Sequence, residues 1–158
     1  MLYSQFKFNF YLNASHAIYI DGKLGQRHPH TWEITLNVLK GKDQFVIFDD
    51  VEHVIESFLE PFQDRCLNDV EPFTTVNPTL ENLTEFLLEN IQKLLLKMKW
   101  YVFCIQVSET PARAYIISLV ENRFAETVFN NQKAEEFIAN AYGKDEARNT
   151  PPAENGAG

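Results

Sequence analysis

Two histidines one residue apart, His28 and His30, open a segment in which apolar and polar residues alternate. Successive side chains of a β-strand point to opposite faces, so both imidazoles of this pair project from the same face. A third histidine, His16, follows an earlier alternating segment. If the two strands pair, three imidazoles converge at one end of a sheet, as in a zinc site with an open fourth position. The same residues also fit a polar strand entrance and a loop.

The segments that carry these histidines have the two-residue period of half-buried strands. Residues 2–11 alternate aromatic with polar side chains, and residues 29–39 alternate again after a loop rich in turn residues. Residues 101–107 and 113–121 have the same period, and Pro111 separates them. The sequence therefore predicts four strands, of which the first two are expected to pair across the loop.

Between the second and third strands the apolar residues change to the spacing of amphipathic helices. One apolar stripe covers residues 51–62, and His53 falls outside it. A second stripe covers residues 80–98, behind Pro78 and Thr79, which suit a helix start. The order strand, strand, helix, helix, strand, strand predicts an α+β domain with two helices on one face of a four-stranded antiparallel sheet.

The length of the chain, 158 residues, suits one domain with a sizeable core better than two. We assign residues 1–142 to this domain and expect a short helix over residues 132–142. Residues 143–158 are small, polar and rich in proline and glycine, so we expect a disordered tail.

The composition argues against several classes of partner. A net charge of −8 does not suit nucleic acid, because phosphate binding needs clustered Lys and Arg. No segment reaches the roughly 18 apolar residues of a membrane span, and the N-terminus has no secretory-signal pattern. The two cysteines, Cys66 and Cys104, are too few for a disulfide scaffold. We therefore expect a cytoplasmic protein with reduced thiols.

Four motifs occur in a specific order: FNFYLNASH, RHPHTWEITL, NPTLENL and VSET. Together they resemble the 6-pyruvoyl-tetrahydropterin synthase family, which includes the bacterial 6-carboxytetrahydropterin synthases of queuosine synthesis. The resemblance covers about residues 3–118 and implies a tunnelling fold (T-fold). It also implies a Zn²⁺ cofactor bound by His16, His28 and His30, and a lyase that acts on dihydroneopterin triphosphate or a related pterin.

Two further residues match ligand-binding positions of that family. Glu109 resembles the glutamate that holds the amino-pyrimidinone edge of the pterin, because an ionised carboxylate accepts two parallel hydrogen bonds. The alternative for Glu109 is a strand-end acid that faces solvent. Thr79 and Glu81 match the family Pro-Thr-x-Glu motif, which makes Thr79 a ligand-binding candidate, but both residues also suit the start of a helix.

The acid–base residues of the family are missing. The position of the catalytic cysteine holds Leu24, and the family Asp-His pair aligns with Gln63-Asp64 or, with a gap, with Asp64-Arg65. Asp64 is therefore the remaining candidate for proton transfer. The nearby Cys66 is either a displaced nucleophile or a small buried side chain. General acids and bases commonly contribute about 10²–10⁴-fold to rate, so we expect weak or altered activity.

Three functions stay open at this level. The first is a zinc-dependent pterin lyase with weak or altered activity. The second is a module of the same fold that binds a pterin or purine-like ligand without turnover, and the third is an assembly domain with a structural zinc. The resemblance also implies a homo-trimer or hexamer with sites between subunits, which would cover exposed sheet edges. In such an assembly Glu109 could serve the zinc of a neighbouring chain.

Overall fold

The structure, a computed structural model, describes residues 4–40 and 45–118. The helix predicted over residues 132–142 and the tail predicted over residues 143–158 lie outside these residues, as does the predicted end of the domain. In the part of the chain that is described, no helix is both long and apolar enough to span a membrane.

The described residues form seven strands and two α-helices. In chain order these are β1 (Phe6–His16), β2 (Tyr19–Ile20), β3 (Lys23–Leu24), β4 (His28–Lys40), α1 (Phe48–Leu59), β5 (Arg65–Cys66), α2 (Leu80–Lys97), β6 (Trp100–Thr110) and β7 (Arg113–Ser118). The predicted α+β class and the order of the long elements, ββααββ, are confirmed. The strands β2, β3 and β5 were not predicted, because two residues are too few to show a period.

The main sheet has the strand order β5-β1-β4-β6-β7, and β2 and β3 form a separate hairpin. All pairs among the four long strands are antiparallel, whereas β5 adds a short parallel pairing to β1. The register of β1 against β4 runs without a break from Phe6 opposite Val38 to His16 opposite His28. The end of β1 is therefore fixed beside the start of β4.

Two boundaries differ from the sequence prediction for physical reasons. β1 continues past its predicted end to His16, because the alternation of buried and outward-facing residues persists through Leu12 and Ala14 and the backbone stays paired with β4. α1 ends at Leu59, and a 3₁₀ turn over Glu60–Phe62 replaces the last predicted helical turn. Pro61 lies in that turn and has no N–H for an α-helical hydrogen bond.

One apolar core lies between the helices and one face of the sheet. Every second residue is buried from Phe8 to Ala14 on β1 and from Trp32 to Val38 on β4. The buried residues of both helices join the same cluster: Val51, Ile55 and Leu59 from α1, and Leu83, Leu87, Ile91 and Leu95 from α2. Each fully buried aliphatic side chain contributes about 1.5–3 kcal/mol, so this contact holds both helices against the sheet.

The outer edge of β1 is covered near its C-terminal end. The Gln63 side chain accepts a hydrogen bond from the Asn13 N–H and donates one to the Tyr11 carbonyl, both at 2.9 Å. The Asp64 N–H donates to the Asn13 carbonyl at 2.7 Å, and β5 then pairs with the end of the strand. Gln63 and Asp64, which align with the family Asp-His positions, therefore complete the edge of β1.

Candidate metal centre

The register of the first two long strands gathers three histidines at one end of the sheet. His16 ends β1 directly opposite His28, which begins β4, and His30 lies two residues further on the same face. The ring centroids are 4.6 Å apart for His16 and His28, 5.1 Å for His16 and His30, and 4.7 Å for His28 and His30.

A carboxylate reaches the same point from the third long strand. Glu109 lies near the end of β6 and is buried, with 6% of its side chain exposed. Its Oε1 atom is 3.1 Å from Nε2 of His16 and 3.3 Å from Nε2 of His30. One ligand atom from each of the four residues lies within 4.8 Å of all the others. The carboxylate thus stands beside the histidines of its own chain.

The hydrogen bonds on the outer side of two rings define their tautomers. Nδ1 of His16 lies 2.7 Å from the Pro78 carbonyl oxygen, and Nδ1 of His28 lies 2.9 Å from the Gln26 carbonyl oxygen. A carbonyl oxygen only accepts, so each Nδ1 carries a proton and donates it. Each Nε2 of a neutral ring is then left with a lone pair directed at the other residues of the cluster.

These lone pairs lack a donor. The Nε2 atoms of His16 and His28 are 3.0 Å apart, so in neutral rings two acceptors face each other. Nε2 of His30 is buried and has no hydrogen-bond partner among the described residues. A cation at the shared point would satisfy all these atoms. Imidazole nitrogens with a carboxylate oxygen are a donor set that Zn²⁺ accepts, so the residues present fit the metal.

Burial prepares two of the rings for metal binding. The His16 side chain is fully buried and that of His30 is 13% exposed. Desolvation by burial lowers the pKa of both imidazoles below the ordinary value of 6.5, against the opposing effect of the nearby Glu109 charge. The neutral ring, which is the form that binds a metal, is therefore favoured at neutral pH.

Two asparagines hold the chain directly after β1. The Asn68 amide accepts a hydrogen bond from the Ala17 N–H and donates one to the Ala17 carbonyl, both at 2.8 Å. Asn77 makes the equivalent pair with Tyr19, at 2.9 and 3.0 Å. Sequence analysis did not identify either role. The available signal was the place of Asn77 at the start of the NPTLENL motif, which indicated only the family resemblance and the start of α2.

Arg113 holds the outer oxygen of the carboxylate and was also missed. Its Nε and Nη2 atoms lie 2.9 and 2.8 Å from Oε2 of Glu109. The Arg113 side chain is 68% exposed, whereas its partner is almost fully buried. The spacing of four residues across the β6–β7 turn was the available signal, but only the strand register shows that the two side chains meet.

Asp64 lies at a cavity rather than in the cluster. Its backbone has a positive φ of 56°, in the left-handed region, and its side chain is exposed. Together with His30, Thr31 and Arg65 it lines a cavity of about 420 Å³. Pro29 and Thr31, which also line this cavity, project from the face of β4 opposite to His28 and His30, so proton transfer by Asp64 stays a prediction.

Three other residues that the sequence singled out have structural contacts. The Thr79 hydroxyl accepts a hydrogen bond from the Asn82 N–H at 3.2 Å and caps α2. This is the helix-start role that the sequence offered for Thr79 as the alternative to ligand binding. Leu24 lies in β3 and is 54% exposed. Cys66 is buried, with Sγ 3.5 Å from the Asn68 amide oxygen. Binding of a ligand by Thr79 stays a prediction.

The sequence of the chain matches a known protein family. The family model described as 6-pyruvoyl tetrahydropterin synthase matches residues 5–119. The chain belongs to the 6-pyruvoyl tetrahydropterin synthase family. No match was found among curated protein sequences.

Solved structures of 6-pyruvoyl tetrahydropterin synthases share this fold. The enzyme from Caenorhabditis elegans has a TM-score of 0.59 and 17% identity over 74% of this chain and 96% of its own. That from Plasmodium falciparum has a TM-score of 0.53 and 16% identity over 75% and 100% of the two chains. The uncharacterized protein WS1659 from Wolinella succinogenes has a TM-score of 0.60 and 13% identity over 76% and 100%. At these identities the likeness shows the tunnelling fold alone.

Proposed function

We propose that this chain is a zinc protein of the 6-pyruvoyl tetrahydropterin synthase family that binds a pterin beside the metal and converts it weakly or by an altered route. The observation that carries this proposal is the meeting of three imidazole Nε2 atoms for which the described residues supply no donor. His16, His28 and His30 would hold the Zn²⁺. A bound zinc ion would supply Lewis-acid polarisation of a substrate oxygen.

The residues of the chain would then bind and orient the pterin. Glu109 would accept two hydrogen bonds from the amino-pyrimidinone edge of the ring. Asp64, which lines a cavity together with His30, would take up or release a proton. The substrate class is dihydroneopterin triphosphate or a related pterin, and the reaction class is that of a lyase, as in the pterin synthases of queuosine synthesis.

Weak or altered turnover follows from what replaces the usual acid–base residues. Leu24 cannot accept a proton, and Gln63 is occupied by two hydrogen bonds to the edge of β1. A missing general acid or base commonly costs about 10²–10⁴-fold in rate. We therefore expect slow conversion, with Asp64 as its main proton carrier.

The test is incubation of the zinc-loaded full chain with dihydroneopterin triphosphate, with products followed by mass spectrometry. We expect slow formation of a product whose side chain has been shortened or has lost triphosphate, at a rate that falls at least about tenfold in Asp64→Asn. Glu52→Gln, on the surface of α1, is the matched control and should leave the rate unchanged. Absence of any product above the level of heat-treated protein would rule out the lyase.

A second function, ligand binding without turnover, is favoured by the same missing groups. In the described part of the chain, the position of the family cysteine holds Leu24, and neither alignment of the family Asp-His pair places a histidine next to Asp64 in sequence. If the lyase assay is negative, calorimetry against a panel of pterins and purines should still give heat, and Glu109→Gln should abolish it. No heat with any member of the panel would exclude this function as well.

We further propose that the chain assembles in the cytoplasm into a homo-trimer or hexamer. Among the described residues, no strand pairs with the outer edge of β7 or with the N-terminal half of β1 on its outer side. Unpaired edges of this kind are usually covered. Sedimentation velocity of the full chain should show a trimer or larger species, and a monomer at micromolar concentration would contradict the proposal.

A further inference from the structure

We infer that Glu109 is a fourth protein ligand of the zinc, so that the resting metal centre is closed until a bound ligand draws this carboxylate away. The inference rests on the proposed zinc site and adds to it a gate made of one side chain. Three observations carry it: the distances between the ligand atoms, the different partners of the two Glu109 oxygens, and the solvent exposure of the Arg113 side chain.

Three distances between ligand atoms are close to those of a filled coordination sphere. Zinc–ligand bonds of about 2.0–2.1 Å at tetrahedral angles place neighbouring ligand atoms about 3.3–3.4 Å apart. Oε1 of Glu109 is 3.1 Å from Nε2 of His16 and 3.3 Å from Nε2 of His30. The two ring nitrogens of His16 and His28 are 3.0 Å apart. Oε1 of Glu109 is thus about as close to His16 and His30 as the Nε2 atoms of His16 and His28 are to each other, and all four ligand atoms lie within 4.8 Å of one another.

The two oxygens of Glu109 have different partners. Oε1 faces the imidazoles, whereas Oε2 is the acceptor for both Nε and Nη2 of Arg113. Carboxylates that bind a metal are generally held by such hydrogen bonds on their second oxygen. Neither oxygen is free, so Glu109 cannot accept two parallel hydrogen bonds from a heterocycle while it keeps these partners.

A ligand that takes both oxygens must therefore release them from the metal and from Arg113. Release of Oε1 opens a coordination position at the moment the ring is bound, so ring capture and metal access are coupled through one side chain. Arg113 is suited to this change because its side chain is 68% exposed and stays hydrated after it releases the Glu109 carboxylate. His16 and His28, in contrast, stay fixed by the carbonyl groups behind them.

Cobalt(II) in place of zinc makes the open position visible. The full chain is loaded with cobalt(II), its stoichiometry is measured, and azide is titrated in while the visible ligand-field bands are recorded. We expect the bands of the wild-type protein to be insensitive to azide and those of Glu109→Ala to shift, because removal of the carboxylate leaves an exchangeable position. Glu33→Gln is the matched control, since this residue lies on β4 on the opposite face from His30 and should behave as wild type.

Arg113→Gln provides a second measurement that leaves the ligands in place. Loss of a hydrogen-bond partner behind a metal ligand typically lowers metal affinity about 10–100-fold, and we expect a loss of that size in a zinc competition assay. The cobalt bands of this variant should also begin to respond to azide.

The possible outcomes separate this inference from the proposed function. A wild-type protein that binds no cobalt or zinc overturns both. A wild-type protein that binds cobalt in a 1:1 ratio and shifts with azide overturns only the gate, and this measurement needs no variant to fold. Glu109→Ala bands that stay insensitive to azide would also overturn the gate, because another group would then fill the position.

Discussion

At the scale of single residues, the hydrogen bonds of the imidazole Nδ1 atoms are as important as the Nε2 atoms that point into the cluster. Main-chain carbonyls fix the Nδ1 protons of His16 and His28, and so direct both Nε2 lone pairs to one point. The sequence could predict that His28 and His30 share a face, because strand geometry requires it, and that His16 joins them if the two strands pair. It could not predict which nitrogen points inward, since the carbonyl of Pro78 comes from a segment 62 residues away from its histidine.

The buried imidazoles predict how the stability of the metal-free protein depends on pH. Burial lowers the pKa of His16 and His30 in the folded state below 6.5. As the pH falls below about 6.5, the unfolded chain takes up protons that the folded chain resists, so these two residues oppose folding in acid. Above that pH both states are deprotonated at these positions and the effect vanishes.

Urea unfolding of chelator-treated protein at about pH 7.5 and about pH 5.5 measures this effect. The free energy of unfolding should be lower at the acidic pH, and the difference should shrink in the double variant His16→Gln/His30→Gln. Equal or greater stability of the wild type in acid would mean that these rings are not held neutral by the fold.

At the scale of elements, the long strands and helices follow their periodic patterns, but their junctions depend on contacts between distant segments. β1 was predicted to end at Tyr11, yet its alternation continues through Leu12 and Ala14, and pairing with β4 carries the strand on to His16. Glu109 was predicted to hold a ring or to face solvent. It meets the histidines because β6 pairs with β4 in one register, and a single strand sequence does not contain that register.

The Asn68 clamp should determine how firmly the end of β1 is held. Asn68→Ala removes two hydrogen bonds from the buried Ala17 backbone, which should cost about 1–3 kcal/mol of stability. Because His16 directly precedes this point, we also expect zinc affinity to fall about tenfold.

Asn90→Ala is the matched control for that change. Asn90 makes one part-buried hydrogen bond to the Phe86 carbonyl within α2, far from the centre in sequence. It should keep the zinc affinity of the wild type in the same competition assay. Equal affinity in Asn68→Ala and Asn90→Ala would show that the clamp does not position the metal ligands.

At the scale of the whole molecule, the metal centre joins three strands of one sheet. His16, His28 with His30, and Glu109 belong to β1, β4 and β6, so a bound ion would link consecutive neighbours in the sheet at one end. The sequence motifs identified the family and the class of fold, because both depend on residues that stay in order along the chain. The link to Arg113 and the asparagine clamps appear only when the chain has folded.

Zinc should therefore stabilise the whole folded chain. A ligand that binds only the folded state adds about 2.7 kcal/mol of stability at a concentration one hundred times its Kd. Differential scanning calorimetry should show a Tm that rises on addition of zinc and falls on chelation, with calcium as the inactive control ion. A Tm that is unchanged by zinc would show that the metal does not bind the folded state.

The most direct test of the central claim is elemental analysis of the purified full chain and two histidine variants. The histidine cluster predicts one zinc per chain in the wild type, retention of that zinc in His53→Ala on α1, and its loss in His16→Ala. A wild-type protein that holds no zinc and takes up none on dialysis, or a His16→Ala variant that binds it as tightly as the wild type, would contradict the account.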